Sequence, residues 1–125
     1  ALKRLKGGEK WKKFDEMCNK KSVNVFHCNL MMSASGSLQG RDELFGRMRE
    51  LEVEPDVVTF SIYIDKACKM ERMDVAERAL SDMKALGIEP NVYVFSALID
   101  GYGKLGMLSQ ATGVWNRMKT LGIVP

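Results

Sequence analysis

Three cysteines, Cys18, Cys28 and Cys68, and a single histidine, His27, are the residues of this 125-residue sequence best suited to metal binding or nucleophilic catalysis. Their spacing supports neither. The cysteines lie 10 and 40 residues apart, form no CxxC pair that could hold zinc or shuttle electrons, and are odd in number, which fits a reducing compartment. A Ser/His/Asp triad would have to use His27, and on a helix its neighbour Cys28 points about 100° away from it. His27 reads as an ordinary helical histidine, and no metal or other cofactor is expected. Two other sets of residues offer a different chemistry. Val58, Ser61, Asp65 and Lys69 are spaced by three, four and four residues, and so are Tyr93, Ser96, Asp100 and Lys104. Such spacing lines one face of a helix. A groove built from these faces has apolar or aromatic walls at Phe26, Val58 and Tyr93, small hydrogen-bonding groups, and a lysine at the end. Bases could stack on the walls while Lys69 and Lys104 meet phosphates.

The elements that must position these residues recur. Pro55, Pro90 and Pro125 are the only prolines and stand 35 residues apart, a period that signals a repeat architecture. Laid over 92–125, residues 57–90 match at 13 of 34 positions, among them Phe60/Phe95, Ser61/Ser96, Asp65/Asp100, Lys69/Lys104, Met83/Met118 and Gly87/Gly122. Within one unit Phe60, Tyr63, Ile64 and Ala67 follow a helical i, i+3, i+4, i+7 pattern. Ala76, Ala79, Leu80 and Met83 do the same after a polar break at Glu71 and Arg72. Two amphipathic helices per unit result. Asp56 and Asn91 precede the first helix as N-cap candidates, and Gly87 and Gly122 follow the second as candidates for its left-handed end. A two-helix hairpin cannot cover its own apolar faces, so successive hairpins stack into an all-α solenoid of either hand.

Upstream the pattern is looser. Met48 lies 35 residues before Met83, and Trp11, Phe14 and Met17 echo the second helix of an earlier unit. An ungapped alignment would set Asn29 among apolar neighbours, costing roughly 1 to 3 kcal/mol unless the amide is paired. Placing Asn29 opposite Ser61 instead gives a shortened unit, 25–56, that loses about one turn near Ser35 and Gly36, puts Met31 and Met32 in the core, and leaves Asn24 before the helix as Asp56 and Asn91 are. The division is a partial repeat over 1–24, mainly its second helix, then a shortened repeat over 25–56. A complete repeat follows over 57–91, and a last one over 92–125 is one residue short. Starting at Ala1 and ending at Pro125 inside a motif, the sequence reads as a part of a longer array.

Composition is that of an ordinary folded chain, 46% hydrophobic and 28% charged. No run approaches the roughly 18 apolar residues of a membrane span, and no secretory segment is present. The net charge of +3 is local. Residues 1–21 hold eight Lys/Arg against three Asp/Glu, including Lys10, Lys12, Lys13, Lys20 and Lys21, while the remainder holds eleven against thirteen. Since phosphate neutralisation is the usual source of nucleic-acid affinity, a chain this short should bind it weakly.

The two units VVTFSIYIDKACKMERMDVAERALSDMKALGIEPN and VYVFSALIDGYGKLGMLSQATGVWNRMKTLGIVP resemble the pentatricopeptide repeat family. The period of 35, the Phe-Ser in the first helix and the GIxP ending carry the resemblance; the W-x2-L-G-x2-Y signature of the 34-residue tetratricopeptide repeat is not seen. The resemblance covers 25–125 well and 1–24 in part. It implies single-stranded RNA binding at about one base per repeat, without catalysis or a small-molecule substrate. The fifth residue of a unit and its last residue would form the base-reading pair, here Asn29 with Asp56 and Ser61 with Asn91. Ser96 begins a third pair, and Asn24 is the last residue of the unit before. Family preference associates these with uracil, adenine and a purine, in that order, 5′ to 3′. The second residues Phe26, Val58 and Tyr93 would bracket bases, and Lys69 and Lys104 would meet phosphates. The family also implies a mitochondrial or chloroplast setting, a role in RNA processing, stability, editing or translation, and other ribonucleoprotein proteins as partners. Each residue has a second reading. Asp56 and Asn91 serve as helix caps, Lys69 and Lys104 favour a helix C-terminus by about 0.3 to 1 kcal/mol, and the solenoid could act as a scaffold whose base-reading residues are vestigial.

Overall fold

Apolar residues at helical spacing become helices wherever a cap and a stop enclose them. In the computed structural model, which describes residues 12–17, 24–35 and 37–123, helical residues 12–17 precede six α-helices with both ends described. These are α1 (Val25–Ala34), α2 (Leu38–Glu50), α3 (Val57–Lys69), α4 (Met73–Ala85), α5 (Val92–Lys104) and α6 (Leu108–Thr120). No strand occurs among the described residues. Trp11, Cys18, Lys10, Lys20, Lys21 and Pro125 lie outside them. The chain divides into two compact units, 1–59 and 60–125.

Each first helix starts on a side-chain cap. Asn24 accepts from the His27 N–H at 3.1 Å, and the His27 ring nitrogen Nδ1 accepts from the Asn24 N–H at 3.2 Å. Two of the orphan donors of α1 are thereby satisfied at once, so the histidine acts as half of a reciprocal cap. Asn91 accepts from the Val94 N–H at 3.1 Å to start α5, and Ser37 does the same for α2 through Gly40.

Five of the six helices end in one way. The N–H of Ile88 bonds the carbonyl of Met83 while that of Gly87 bonds Lys84, and the pattern recurs at the ends of α2, α3, α5 and α6. This pairing needs a left-handed residue just past the helix. Gly87, Gly106 and Gly122 take it at φ 75°, 73° and 73°, and Glu52 and Glu71 take it at 57° and 60° despite carrying a Cβ. Helix α1 differs: it has ten residues where the other five have thirteen, and its C-cap Ser35 is extended.

The cores follow the repeat. In the first unit Phe14, Cys28, Met31, Met32, Leu44 and Met48 are buried. Arg41 is buried there too, its Nε donating to the Met32 carbonyl at 2.8 Å. Arg47 pairs with Asp15 and sits 5.8 Å from the centre of the Phe14 ring. In the second unit Phe60, Tyr63, Ile64 and Ala67 of α3 and Ala76, Ala79, Leu80 and Met83 of α4 face inward, as their spacing predicts, joined by Phe95, Leu98, Val114 and Met118. Fully burying a Leu, Phe or Met side chain contributes roughly 1.5 to 3 kcal/mol. Gly101 of α5 comes so close to its neighbours that an added Cβ would stand 2.7 Å from Met73 Sδ and 3.2 Å from Cys68 Cβ. Tyr102 donates to Glu77 at 2.8 Å, and Arg117 donates to the same carboxylate oxygen at 3.3 Å, so one acid of α4 holds both α5 and α6.

Candidate nucleic-acid interface

Asn29 is the fifth residue of α1, on its half-buried flank. Its Nδ2 donates to Asp56 Oδ1 at 3.2 Å, across 27 residues of chain. Asp56 is also the cap of α3: its Oδ1 accepts from the Thr59 N–H at 3.0 Å, and its own N–H donates to Thr59 Oγ1 at 3.1 Å. Thr59 closes the set. Its hydroxyl is fully buried and shares its proton between two acceptors, Asn29 Oδ1 at 2.5 Å and Asp56 Oδ1 at 3.0 Å. Partial burial pushes the Asp56 carboxyl up. The Thr59 N–H, the Asn29 amide, the Thr59 hydroxyl and the Val58 N–H together outweigh it and hold the group below the usual carboxylate range. Near neutrality Asp56 is therefore an ionised, acceptor-only group, and the Asn29 NH2 is the end of the amide that turns toward it. With these bonds made, Asn29 keeps one N–H and one oxygen lone pair for a ligand.

Two residues of this cluster, Asn29 and Asp56, are those the sequence pairs. Thr59 is not. The signal for it was present, since an Asp followed three residues later by a hydroxyl residue is the spacing of a reciprocal cap.

In the second unit Ser61 and Asn91 are both half-buried, and the Asn91 oxygen is committed to the Val94 N–H. The position equivalent to Thr59 is Val94, fully buried and without a polar group. Ser96 is exposed on α5. Asn24 is exposed, with its oxygen committed to His27.

The three second residues share one property. Phe26, Val58 and Tyr93 are 54%, 48% and 75% exposed, a large apolar surface left in water at the same repeat position each time. The cations differ from one another. Lys69 forms an i,i+4 ion pair with Asp65 at 3.0 Å, whereas the exposed Lys104 has no ion pair among the described residues. An exposed pair of this kind is worth only about 0.3 to 0.5 kcal/mol and can yield to a phosphate. Among the described residues no group of three or more His, Cys, Asp or Glu could hold a metal ion. No helix among them is long and apolar enough to cross a membrane.

Helical hairpins repeated at intervals of 32 and 35 residues define the class, an all-α hairpin solenoid. The sequence models of one such family match almost end to end: a pentatricopeptide repeat domain over 14–70, the PPR repeat family over 55–104 and a PPR repeat over 93–123. The chain belongs to the pentatricopeptide repeat family. No curated protein matches it. Among solved structures it is similar to the pentatricopeptide repeat protein PPR10 in complex with an 18-nt psaJ RNA element, with a TM-score of 0.81 and 26% identity. That match covers 99% of this chain and 19% of the other, so the chain spans about a fifth of that protein's length. Two further structures share the fold. The PPR domain of Arabidopsis thaliana protein-only RNase P 1 in complex with tRNA has a TM-score of 0.71 at 20% identity, over 91% of this chain and 71% of that one. PPR10 from maize has 0.68 at 22%, over 95% and 18%.

Proposed function

We propose that the chain binds single-stranded RNA with base selectivity, about one base per repeat, and performs no chemistry on it. The observation that carries this reading is the Asn29–Asp56 pair. An amide from one hairpin is held by the ionised cap of the next helix, and a donor and an acceptor of that amide remain for a base edge. Exposed apolar side chains at the second position of every first helix supply stacking surfaces, a sequence-tolerant contribution of about 1 to 3 kcal/mol per base. The similarity to a pentatricopeptide repeat protein crystallised with RNA supports the same partner. The division into units 1–24, 25–56, 57–91 and 92–125 belongs to this proposal. So do the assignments of Asn29/Asp56 to uracil, Ser61/Asn91 to adenine and Ser96 to a purine, and the phosphate role of Lys69 and Lys104. By family, the setting is a mitochondrion or chloroplast and the task is RNA processing, stability, editing or translation alongside other ribonucleoprotein proteins.

The test is a fluorescence titration at low ionic strength with cytidine oligoribonucleotides carrying a uracil–adenine–guanine core. Exchanging Ser61 for Asn together with Asn91 for Asp shifts the preference at the central base from adenine to uracil. An unchanged base profile refutes the assignment. The charge favours a second reading. Residues 22–125 hold eleven basic against thirteen acidic residues, so a scaffold that engages protein or structured RNA through the solenoid surface would show equal affinity for all single-stranded probes.

A further inference from the structure

We propose that Thr59 is a positioning residue for base selection: its buried hydroxyl fixes which end of the Asn29 amide, donor or acceptor, a base meets. The inference rests on the reading of Asn29 and Asp56 as a base-selecting pair and adds a residue and a device to it.

The oxygen and nitrogen of an asparagine amide are nearly equal in size, and a half-turn about χ2 exchanges them. For most surface asparagines the exchange has little effect. Here it would invert the recognition. Uracil offers an acceptor at O4 and a donor at N3, whereas cytosine offers a donor at N4 and an acceptor at N3. An amide presented in one sense suits uracil, and its flipped form suits cytosine.

Two groups oppose the flip. Asp56, acceptor-only, takes the NH2 at 3.2 Å. Thr59, fully buried, gives its proton to Asn29 Oδ1 at 2.5 Å. In the flipped state the amide oxygen would face the carboxylate, and the threonine hydroxyl would exchange its 2.5 Å acceptor on Asn29 for Asp56 Oδ1, 3.0 Å away. Thr59 is itself held by the Asp56 N–H, which donates to its oxygen at 3.1 Å and leaves the hydroxyl proton directed away from that bond. Thr59 thus ties the cap of α3 and the amide of α1 into one cluster. The following unit has Val94 at the equivalent place, also fully buried. A valine there packs in the same fold, so the threonine hydroxyl is not a packing requirement; what it serves is the Asp56 N–H and the Asn29 side-chain amide.

The experiment titrates the full chain with cytidine oligoribonucleotides whose first core base is uracil, cytosine or adenine, for the wild type, Thr59→Val and Thr59→Ser. The wild type prefers uracil to cytosine by about tenfold, the value of one well-placed hydrogen bond. Thr59→Val, nearly isosteric and already accepted at residue 94, reduces that ratio to about threefold while leaving the uracil-to-adenine ratio unchanged. Thr59→Ser restores the tenfold ratio. A uracil-to-cytosine ratio that survives in Thr59→Val overturns the proposal. So does an equal loss of affinity for all three probes, which would make Thr59 a cap and nothing more. Should the wild type bind all three probes equally, the base-reading assignment of Asn29 and Asp56 falls first, and the role of Thr59 with it.

Discussion

Gly101 and Gly103 lie two residues apart on α5, and the same substitution at each should change stability in opposite directions. Replacing a helical glycine by alanine gains about 1 kcal/mol of helix propensity wherever the methyl has room. At Gly103 nothing lies within 4 Å of the new Cβ, so the gain is realised in full. At Gly101 the methyl would stand 2.7 Å from Met73 Sδ, 3.0 Å from Met73 Cε and 3.2 Å from Cys68 Cβ. The methionine end can swing away. The cysteine Cβ is tied to the backbone of α3 and cannot. Overpacking of this kind costs about 1 to 3 kcal/mol, which exceeds the propensity gain. Gly101→Ala should therefore lose about 1 kcal/mol while Gly103→Ala gains about as much, and in thermal unfolding each step is roughly 4 °C. Urea unfolding followed by far-ultraviolet circular dichroism reads both. Equal stabilisation by the two substitutions would mean that α5 does not approach α3 and α4 through its glycine face.

Two further predictions concern backbone strain and alkali. Glu71 holds φ at 60° where the next unit places Gly106, so Glu71→Gly should stabilise by roughly 0.5 to 1 kcal/mol, the relief of a left-handed Cβ less the added freedom of the unfolded chain; a lowered urea midpoint would contradict the strain. The Cys68 thiol is pushed up from 9.0 to about 12, chiefly by burial and further by Asp65, Glu77 and Asp100. The Tyr102 phenol is pushed up from 10.0 to about 12 by burial and by Glu77. The unfolded chain releases both protons at the lower values while the folded chain keeps them, so this stability is complete below pH 9 and is lost progressively from pH 9 to 12. Cys68→Ala combined with Tyr102→Phe should flatten that decline in the urea midpoint, and an equally steep decline in the double variant would locate the alkaline sensitivity elsewhere.

The hairpins were legible because their information is periodic. Phe60, Tyr63, Ile64 and Ala67 mark a buried stripe by spacing alone, and the interval between prolines sets the frame in which Asn29 falls opposite Ser61. The site was legible in part, for a different reason in each case. Asn29 and Asp56 are 27 residues apart, and only the repeat frame brings them together. Thr59 is hidden in the sequence because threonine inside an apolar first turn reads as a β-branched core residue, which Val94 in fact is. Asp65 precedes Lys69 by four residues, the spacing of a helical ion pair, and the pair forms. Arg41 is buried against the Met32 carbonyl, and Glu71 and Glu52 occupy left-handed turns. The first depends on tertiary packing and the second on a local helix-end pattern that glycine fills elsewhere, and neither is visible in hydropathy or propensity.

Asp56 belongs to two structures at once, the start of α3 and the side-chain cluster around Asn29. Asn24 and Asn91 stand at the same junction, each with its oxygen closing the first turn of the helix that follows. A residue at that junction must therefore satisfy a helix before it can answer a ligand, and aspartate, asparagine, serine and threonine are the side chains that do so well. The vocabulary open to mutation there is accordingly short. Drift toward alanine or leucine would erode the fold, whereas exchange among the four caps would leave the hairpins intact and change only the polar group on offer. Evolution at these junctions would proceed by swapping a few interchangeable letters within a fixed grammar.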